Sequence, residues 1–233
     1  MQQGIPLFPF GYATESVDHG IRRSGARRRA RRGLPDSLPM ERGIRGIRDA
    51  ADLVERVRRG ERVKYLPFWG HTPRPDGTLS ASCLSQWWPA RFSVGGVAYA
   101  SAEHWMMAGK ARLFGDADAE RAVLAAGHPS VAKKAGRLVR GFDEEVWRRE
   151  RFALVTDGSV HKFGQDPALR AFLLATGDRV LVEASPLDRV WGIGLAADDE
   201  RASDPARWRG ENLLGFALME ARTRLSRGGD GRG

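Results

Sequence analysis

Glu103, Met107 and Lys110 stand at positions i, i+4 and i+7 of one helical stretch, so they share a face. At 1.5 Å per residue, Glu103 and Lys110 are ~10 Å apart along the axis. That face offers a carboxylate and a cation across a gap the size of a nucleotide. Glu103 falls in the first turn, where the helix dipole favours its ionised form. A Glu at that position is also an ordinary helix stabiliser, and spacing alone leaves both readings open. A second constellation is the run Ser185-Pro186-Leu187-Asp188-Arg189-Val190-Trp191-Gly192-Ile193-Gly194. It holds a carboxylate and an indole on a loop whose glycines let a ligand approach the backbone. Equally, Asp188 could cap a turn and Trp191 plug the core.

Seven tryptophans (Trp69, Trp87, Trp88, Trp105, Trp147, Trp191 and Trp208) are many for this length, and several lie beside Gly or Pro. Such rings stack on planar bases, although they also fill cores. His71, His104, His128 and His161 lack metal-ligand spacing such as HExxH. No GxSxG, phosphate-binding loop or dinucleotide fingerprint occurs, and Gly192-Ile193-Gly194 is too short for the last. These patterns call for no metal and no cofactor. Cys83, the single cysteine, has no obvious partner base and reads as inert.

The elements that would position these residues follow from caps and periodicity. Asp49 caps a helix to Arg59 with Leu53, Val54 and Val57 on one face, and Gly60 ends it. A strand follows at Val63 to Phe68, then a Pro/Gly-rich loop from Gly70 to Ser80. Phe92 to Ala100 reads as a hairpin around Gly95-Gly96. Ser101 caps a helix from Glu103 to Phe114. Asp116 starts another, ended by Gly127, and Ser130 a third. Asp143 starts a longer helix reaching Phe163, and Asp166-Pro167 opens one closed by Gly177. Arg179 to Ala184 alternates as a strand. Ser185 to Ala206 is mostly loop, and the last helix spans Asn212 to Leu225. The fold class expected is α+β: a mainly helical single domain with a small, mostly antiparallel sheet.

The chain has 233 residues, 42% apolar, and a net charge of +9. That suits one domain, here residues 41–226, with tails at 1–40 and 227–233. Residues 1–40 carry seven Arg and three acids, which leaves +5 for the rest. The run Arg22 to Arg32 has no apolar period and reads as a disordered tail or an over-long start. A basic balance favours anionic partners such as phosphates or nucleic acid. No apolar run approaches the ~18 residues that span a membrane, and the amino terminus lacks the order of a signal peptide. A cytoplasmic location is the default, and no membrane partner is expected.

In these residues the sequence resembles the YbiA-like family, also called NADAR. The motifs appear in order over Lys64 to Leu225: Phe68-Trp69-Gly70; Leu84-Ser85-Gln86-Trp87 and Phe92; Tyr99 to Trp105 with Lys110-Ala111 and Phe114; Gly136-Arg137; Trp147 to Phe152; Lys162-Phe163; Thr176-Gly177; Leu181-Val182-Glu183; Ser185-Pro186 with Asp188; Trp191-Gly192-Ile193-Gly194; and Trp208 to Asn212 leading to Leu214-Gly215 and Leu218-Met219. The resemblance implies a helix-rich α+β fold and hydrolysis of N-glycosidic bonds. Its substrates would be phosphoribosylamino intermediates of riboflavin synthesis or ADP-ribosylated guanine. It implies Glu103, Asp188 and Trp147 as catalytic residues. Trp191, Gly192 and Asn212 match the family's Trp-Gly loop and its Asn before the last helix. Trp69, Gly70, Phe92, His104 and Lys162 lie in its motifs and join them as substrate-binding candidates, with Lys110 and Arg137 for phosphate. Where the family often has Tyr-Phe-Gln after its Glu-His pair, this chain has Trp105-Met106-Met107, a difference expected to bear on the leaving base. The partner implied is a small ribosylated nucleotide, or an ADP-ribosylated nucleic acid. The alternative classes are a module that binds ADP-ribose without turnover and a nucleic-acid-associated protein.

Overall fold

A computed structural model describes residues 46–47 and 49–228. The amino-terminal tail expected at residues 1–40 lies outside the described residues. The carboxy-terminal tail does so from residue 229 onward.

Seven α-helices are present among the described residues: α1 (Ala50–Arg58), α2 (Ala102–Leu113), α3 (Ala117–Leu124), α4 (Pro129–Arg137), α5 (Glu144–Gln165), α6 (Pro167–Ala175) and α7 (Leu213–Arg227). Four short strands accompany them: β1 (Tyr65–Phe68), β2 (Phe92–Val94), β3 (Val97–Tyr99) and β4 (Val180–Glu183). Asp49, Asp116, Asp143 and Asp166 cap their helices as the sequence predicts, each side chain accepting a backbone N–H of the first turn. Helix α4 starts earlier than its expected Ser130. His128 is the cap, accepting from the Ser130 N–H, and Pro129 takes the first helical position, where its missing N–H costs nothing. Helix α7 continues through Arg227, two residues past the expected end.

The strand content differs from the mostly antiparallel sheet expected. It is two separate pairs, and only the hairpin β2–β3 is antiparallel. Strand β1 pairs with β4 in parallel, Tyr65 opposite Val180 and Phe68 opposite Glu183. Local periodicity identifies each strand but carries nothing about a pairing made across more than a hundred residues of intervening chain. A parallel pair ends both strands at the same edge. The loops after Phe68 and after Glu183 therefore leave side by side, where ligands collect in parallel sheets.

Helix α2 is central: every residue from Ala102 to Gly109 is buried. It packs on α3, α4 and α5, while α7 covers α5 and β4. Small residues permit the approach. A Cβ on Gly158 of α5 would lie 2.3 Å from Cδ1 of Trp105, well inside contact distance. Trp105 then donates its indole N–H to the Leu154 carbonyl (2.8 Å) and packs against Tyr99, Phe92 and His161.

Candidate functional site

Glu103 opens α2 from beneath a short loop. Its backbone N–H donates to the Gln86 carbonyl (3.0 Å), which ties the start of the helix to that loop. Only 2% of Glu103 is exposed, and its Oε1 is buried with no hydrogen-bond partner. Burial pushes its pKa up to about 7. The charge of Lys133, a hydrogen bond from the Trp87 side chain and the charge of Arg137 pull the other way, while Asp188 adds to the rise.

Asp188 sits in the loop after β4. Its Oδ1 accepts the N–H groups of Val190 (2.9 Å) and Trp191 (2.8 Å), so it shapes the loop that carries it to Glu103. That loop lies against the approach to α7. Gly192 accepts from the Asn212 N–H, and the Trp191 carbonyl from the Leu214 N–H. A side chain at Gly192 is excluded, because its Cβ would stand 2.7 Å from the Glu183 carbonyl oxygen. Asn212 is wholly buried in a left-handed conformation (φ 54°). Its Oδ1 accepts the Glu183 N–H and its Nδ2 donates to the Leu181 carbonyl, both at 2.9 Å. It therefore sets the end of β4; both ends of its amide are engaged by the backbone.

The structure thus brings Asp188 and Arg137 within reach of the charge of Glu103, while Gly192 and Asn212 hold the backbone at the end of β4 and in the loop after it. Three neighbours absent from the expected set join them: Glu183, Lys133 and Trp87. Glu183 ends β4, and burial, Asp188 and Glu103 push its carboxyl up to about 8, against the charge of Lys133. Lys133 stands near enough for its charge to act on both glutamates, and its Nζ lies 5.8 Å from the Trp87 ring centre. Trp87 is itself flanked by His71 (5.3 Å) and His128 (5.9 Å). One signal for Glu183 was legible, an acid closing the apolar run Val180-Leu181-Val182; the parallel pairing that makes this strand end a ligand-binding edge was not. Lys133 lies one turn before Arg137 on α4, but nothing local marks that face.

Other expected residues fall elsewhere. Lys110 is half-buried, with Nζ 4.0 Å from the Phe142 ring centre and 5.6 Å from that of the buried Trp147. Arg137 acts on the charges of both Glu103 and Lys110, so this aromatic shelf adjoins the carboxyls. Trp69 is 63% exposed after β1, and Gly70 follows in a left-handed turn that leads to His71. Phe92 is buried against Tyr99 and Trp105 as part of the core. His104 accepts from the Ser101 hydroxyl (2.8 Å) and donates to the Ala126 carbonyl (3.0 Å), which occupies both ring nitrogens. Lys162 is buried with Nζ donating to the carbonyls of Cys83 (2.6 Å) and Ser85 (2.7 Å), so it holds the loop that precedes Trp87. Burial lifts the Cys83 thiol to about 11, far from a nucleophile. Trp105, Met106 and Met107 are all packed into the interior, Met107 against Gly136. Among the described residues no three His, Cys, Asp or Glu are grouped so as to hold a metal ion, and no helix is long and apolar enough to cross a membrane.

The domain is mainly helical α+β, with enclosed carboxyl oxygens gathered at the shared edge of a parallel strand pair. The chain belongs to the NADAR domain family, which matches residues 67–226. It is 40% identical over 167 residues to N-glycosidase R617 of Acanthamoeba polyphaga mimivirus, covering 70% of this chain and 96% of that protein. It is 30% identical to riboflavin biosynthesis protein VVA0006 of Vibrio vulnificus, over 61% of this chain and 35% of that one. The NMR structure of E. coli YbiA superposes with a TM-score of 0.59 at 24% identity, covering 74% of this chain and 91% of that one, and so shares the fold.

Proposed function

We propose that this protein is an N-glycosidase that hydrolyses the bond between a ribose carbon and a base or amine nitrogen in a ribosylated nucleotide. The observation that carries the reading is Glu103: a buried carboxyl with an unpartnered oxygen, balanced between burial and two cations so that it changes charge near neutral pH. The relatives' names, an N-glycosidase and a riboflavin biosynthesis protein, point the same way. Departure of the base builds positive charge on the sugar, and a nearby carboxylate stabilises that charge. Glu103 then takes a proton from the attacking water. Asp188, with Oδ1 occupied by its own loop, offers its other oxygen to a ribose hydroxyl. Trp191 and Trp147 flank the sugar or base, and Lys110 and Arg137 meet phosphate. The catalytic domain is residues 41–226.

Two substrate classes fit: phosphoribosylamino-pyrimidines of riboflavin synthesis and ADP-ribosylated guanine, the latter free or on nucleic acid. A reducing compartment such as the cytoplasm suits a chain whose one cysteine is buried and unpaired. The test incubates the protein separately with a phosphoribosylamino-pyrimidine and with ADP-ribosylated guanosine and separates released base from intact substrate. One of them is expected to be cleaved, and Glu103→Gln to lose ~10²–10⁴ of the rate with its circular dichroism unchanged. Binding without released base on either compound would return the site to a binding module. Near wild-type turnover by Glu103→Gln would remove Glu103 from the mechanism.

A further inference from the structure

Glu183 is fixed more firmly than its place beside a loop requires. Its N–H donates to the Asn212 side chain, its carbonyl accepts from the Ile193 N–H (2.9 Å), and its Cα is paired with Phe68 across the parallel strands. The carboxyl held this way has a fully enclosed Oε2 with no partner, while the residue keeps a partial opening to the surface. Glu103 beside it has an enclosed, unpartnered Oε1. Two acids with enclosed, orphaned oxygens are costly unless a ligand or a shared proton uses them.

Their surroundings are unequal. Glu103 faces the cations Lys133 and Arg137 and the Trp87 donor, against the charges of Asp188 and of Glu183 itself. Glu183 faces Asp188 and Glu103, with Lys133 as its one cation. When a single proton is held between them, Glu103 carries the negative charge and Glu183 the proton. Paired carboxyls with such split environments divide base and acid work.

We propose that Glu183 is the general acid of this site, giving its proton to the leaving nitrogen while Glu103 acts as base. The inference rests on the N-glycosidase reading above. As the ribosyl C–N bond breaks, its electron pair stays on nitrogen and accepts the Glu183 proton. A water oxygen bonds to the ribose carbon, and Glu103 takes the water's proton. The products are the neutral base and the free hydroxyl sugar. Proton exchange with solvent then restores the starting charges, so no further reactant is consumed.

The experiment uses the full chain and a series of ribosylated substrates that share the sugar phosphate and differ in the acidity of the leaving base. Glu183→Gln is expected to slow the least acidic base by ~10²–10⁴ and to slow the more acidic ones progressively less. Glu103→Gln is expected to slow all of them alike. In the wild type the rate rises as Glu103 ionises and falls as Glu183 loses its proton; the falling limb disappears in Glu183→Gln. Infrared spectra of the wild type minus Glu183→Gln at neutral pH give a second readout: the protonated-carboxyl carbonyl stretch of Glu183, lost in the variant while the contribution of Glu103 remains in both. A uniform slowing across the series, wild-type rates in Glu183→Gln, or a wild type without that stretch would overturn the assignment. Failure of the wild type to release any base would instead bring down the N-glycosidase reading, and this proposal with it.

Discussion

Replacing Glu103 with Gln should make the protein more stable at neutral and alkaline pH while removing its activity. The carboxyl is 2% exposed and its pKa rises from an ordinary 4.5 to about 7. Below pH 4.5 the group is protonated in both folded and unfolded chains, and the stability linked to it is fully present. As pH climbs past 4.5 the unfolded chain ionises while the folded one holds its proton, so that stability is lost until the folded group also ionises near 7. The difference amounts to on the order of 3 kcal/mol. Gln has nearly the same shape and no charge, so the variant escapes this loss. For a domain of this size the gain corresponds to roughly 6–12 °C in Tm above pH 7. The assay is thermal unfolding of wild type and Glu103→Gln at intervals from pH 4 to pH 9. The two curves should meet near pH 4 and diverge up to pH 7. Glu183, pushed up to about 8, gives the variant a remaining decline of its own. Parallel curves across that range, or a variant less stable than wild type at pH 8, would refute the reasoning that a buried charge is held at Glu103. A site that sacrifices stability for a poised carboxyl is a common feature of functional residues.

Three further outcomes are expected. Asn212→Ala leaves the Glu183 N–H and the Leu181 carbonyl without their partners and puts a Cβ-bearing alanine at φ 54°, costing roughly 3–6 kcal/mol by urea unfolding. Asn212→Gly should recover the conformational part alone, and equal losses in the two variants would argue against strain at this position. Gly158→Ala forces a methyl into Trp105 and should destabilise by about 1–3 kcal/mol, measured as a lowered Tm, with the position of the activity optimum unchanged. Trp87→Phe removes the donor that favours ionised Glu103, so the acid limb of the pH–rate profile should move to higher pH; an unmoved limb would separate the indole from Glu103.

Much of the architecture was legible because it is local. Asp49, Asp116, Asp143 and Asp166 mark helix starts through bonds to residues two or three positions away, and Gly95-Gly96 marks the hairpin for similar reasons. The family motifs made Glu103 a candidate where its spacing alone did not. His104 and Lys162 show the opposite limit. Each carries a polar group that suits a ligand, yet both are bonded to protein carbonyls, His104 from Ala126 and Lys162 from Cys83 and Ser85, which only the packed chain brings near.

The sequence by itself determined the family, the order of the helices and an acid at the start of α2. The parallel pairing of β1 with β4 was decided in three dimensions, and with it the placement of Glu183 beside Glu103 and Asp188. These residues are 80 positions or more from Glu103 along the chain, and no periodicity reaches that far. What makes Glu103 unusual is likewise tertiary. A carboxyl in a first helical turn is ordinary while water surrounds it. It becomes a group poised near neutral pH only when α4, the Trp87 loop and the loop after β4 exclude that water and place Lys133, Arg137 and Asp188 around it.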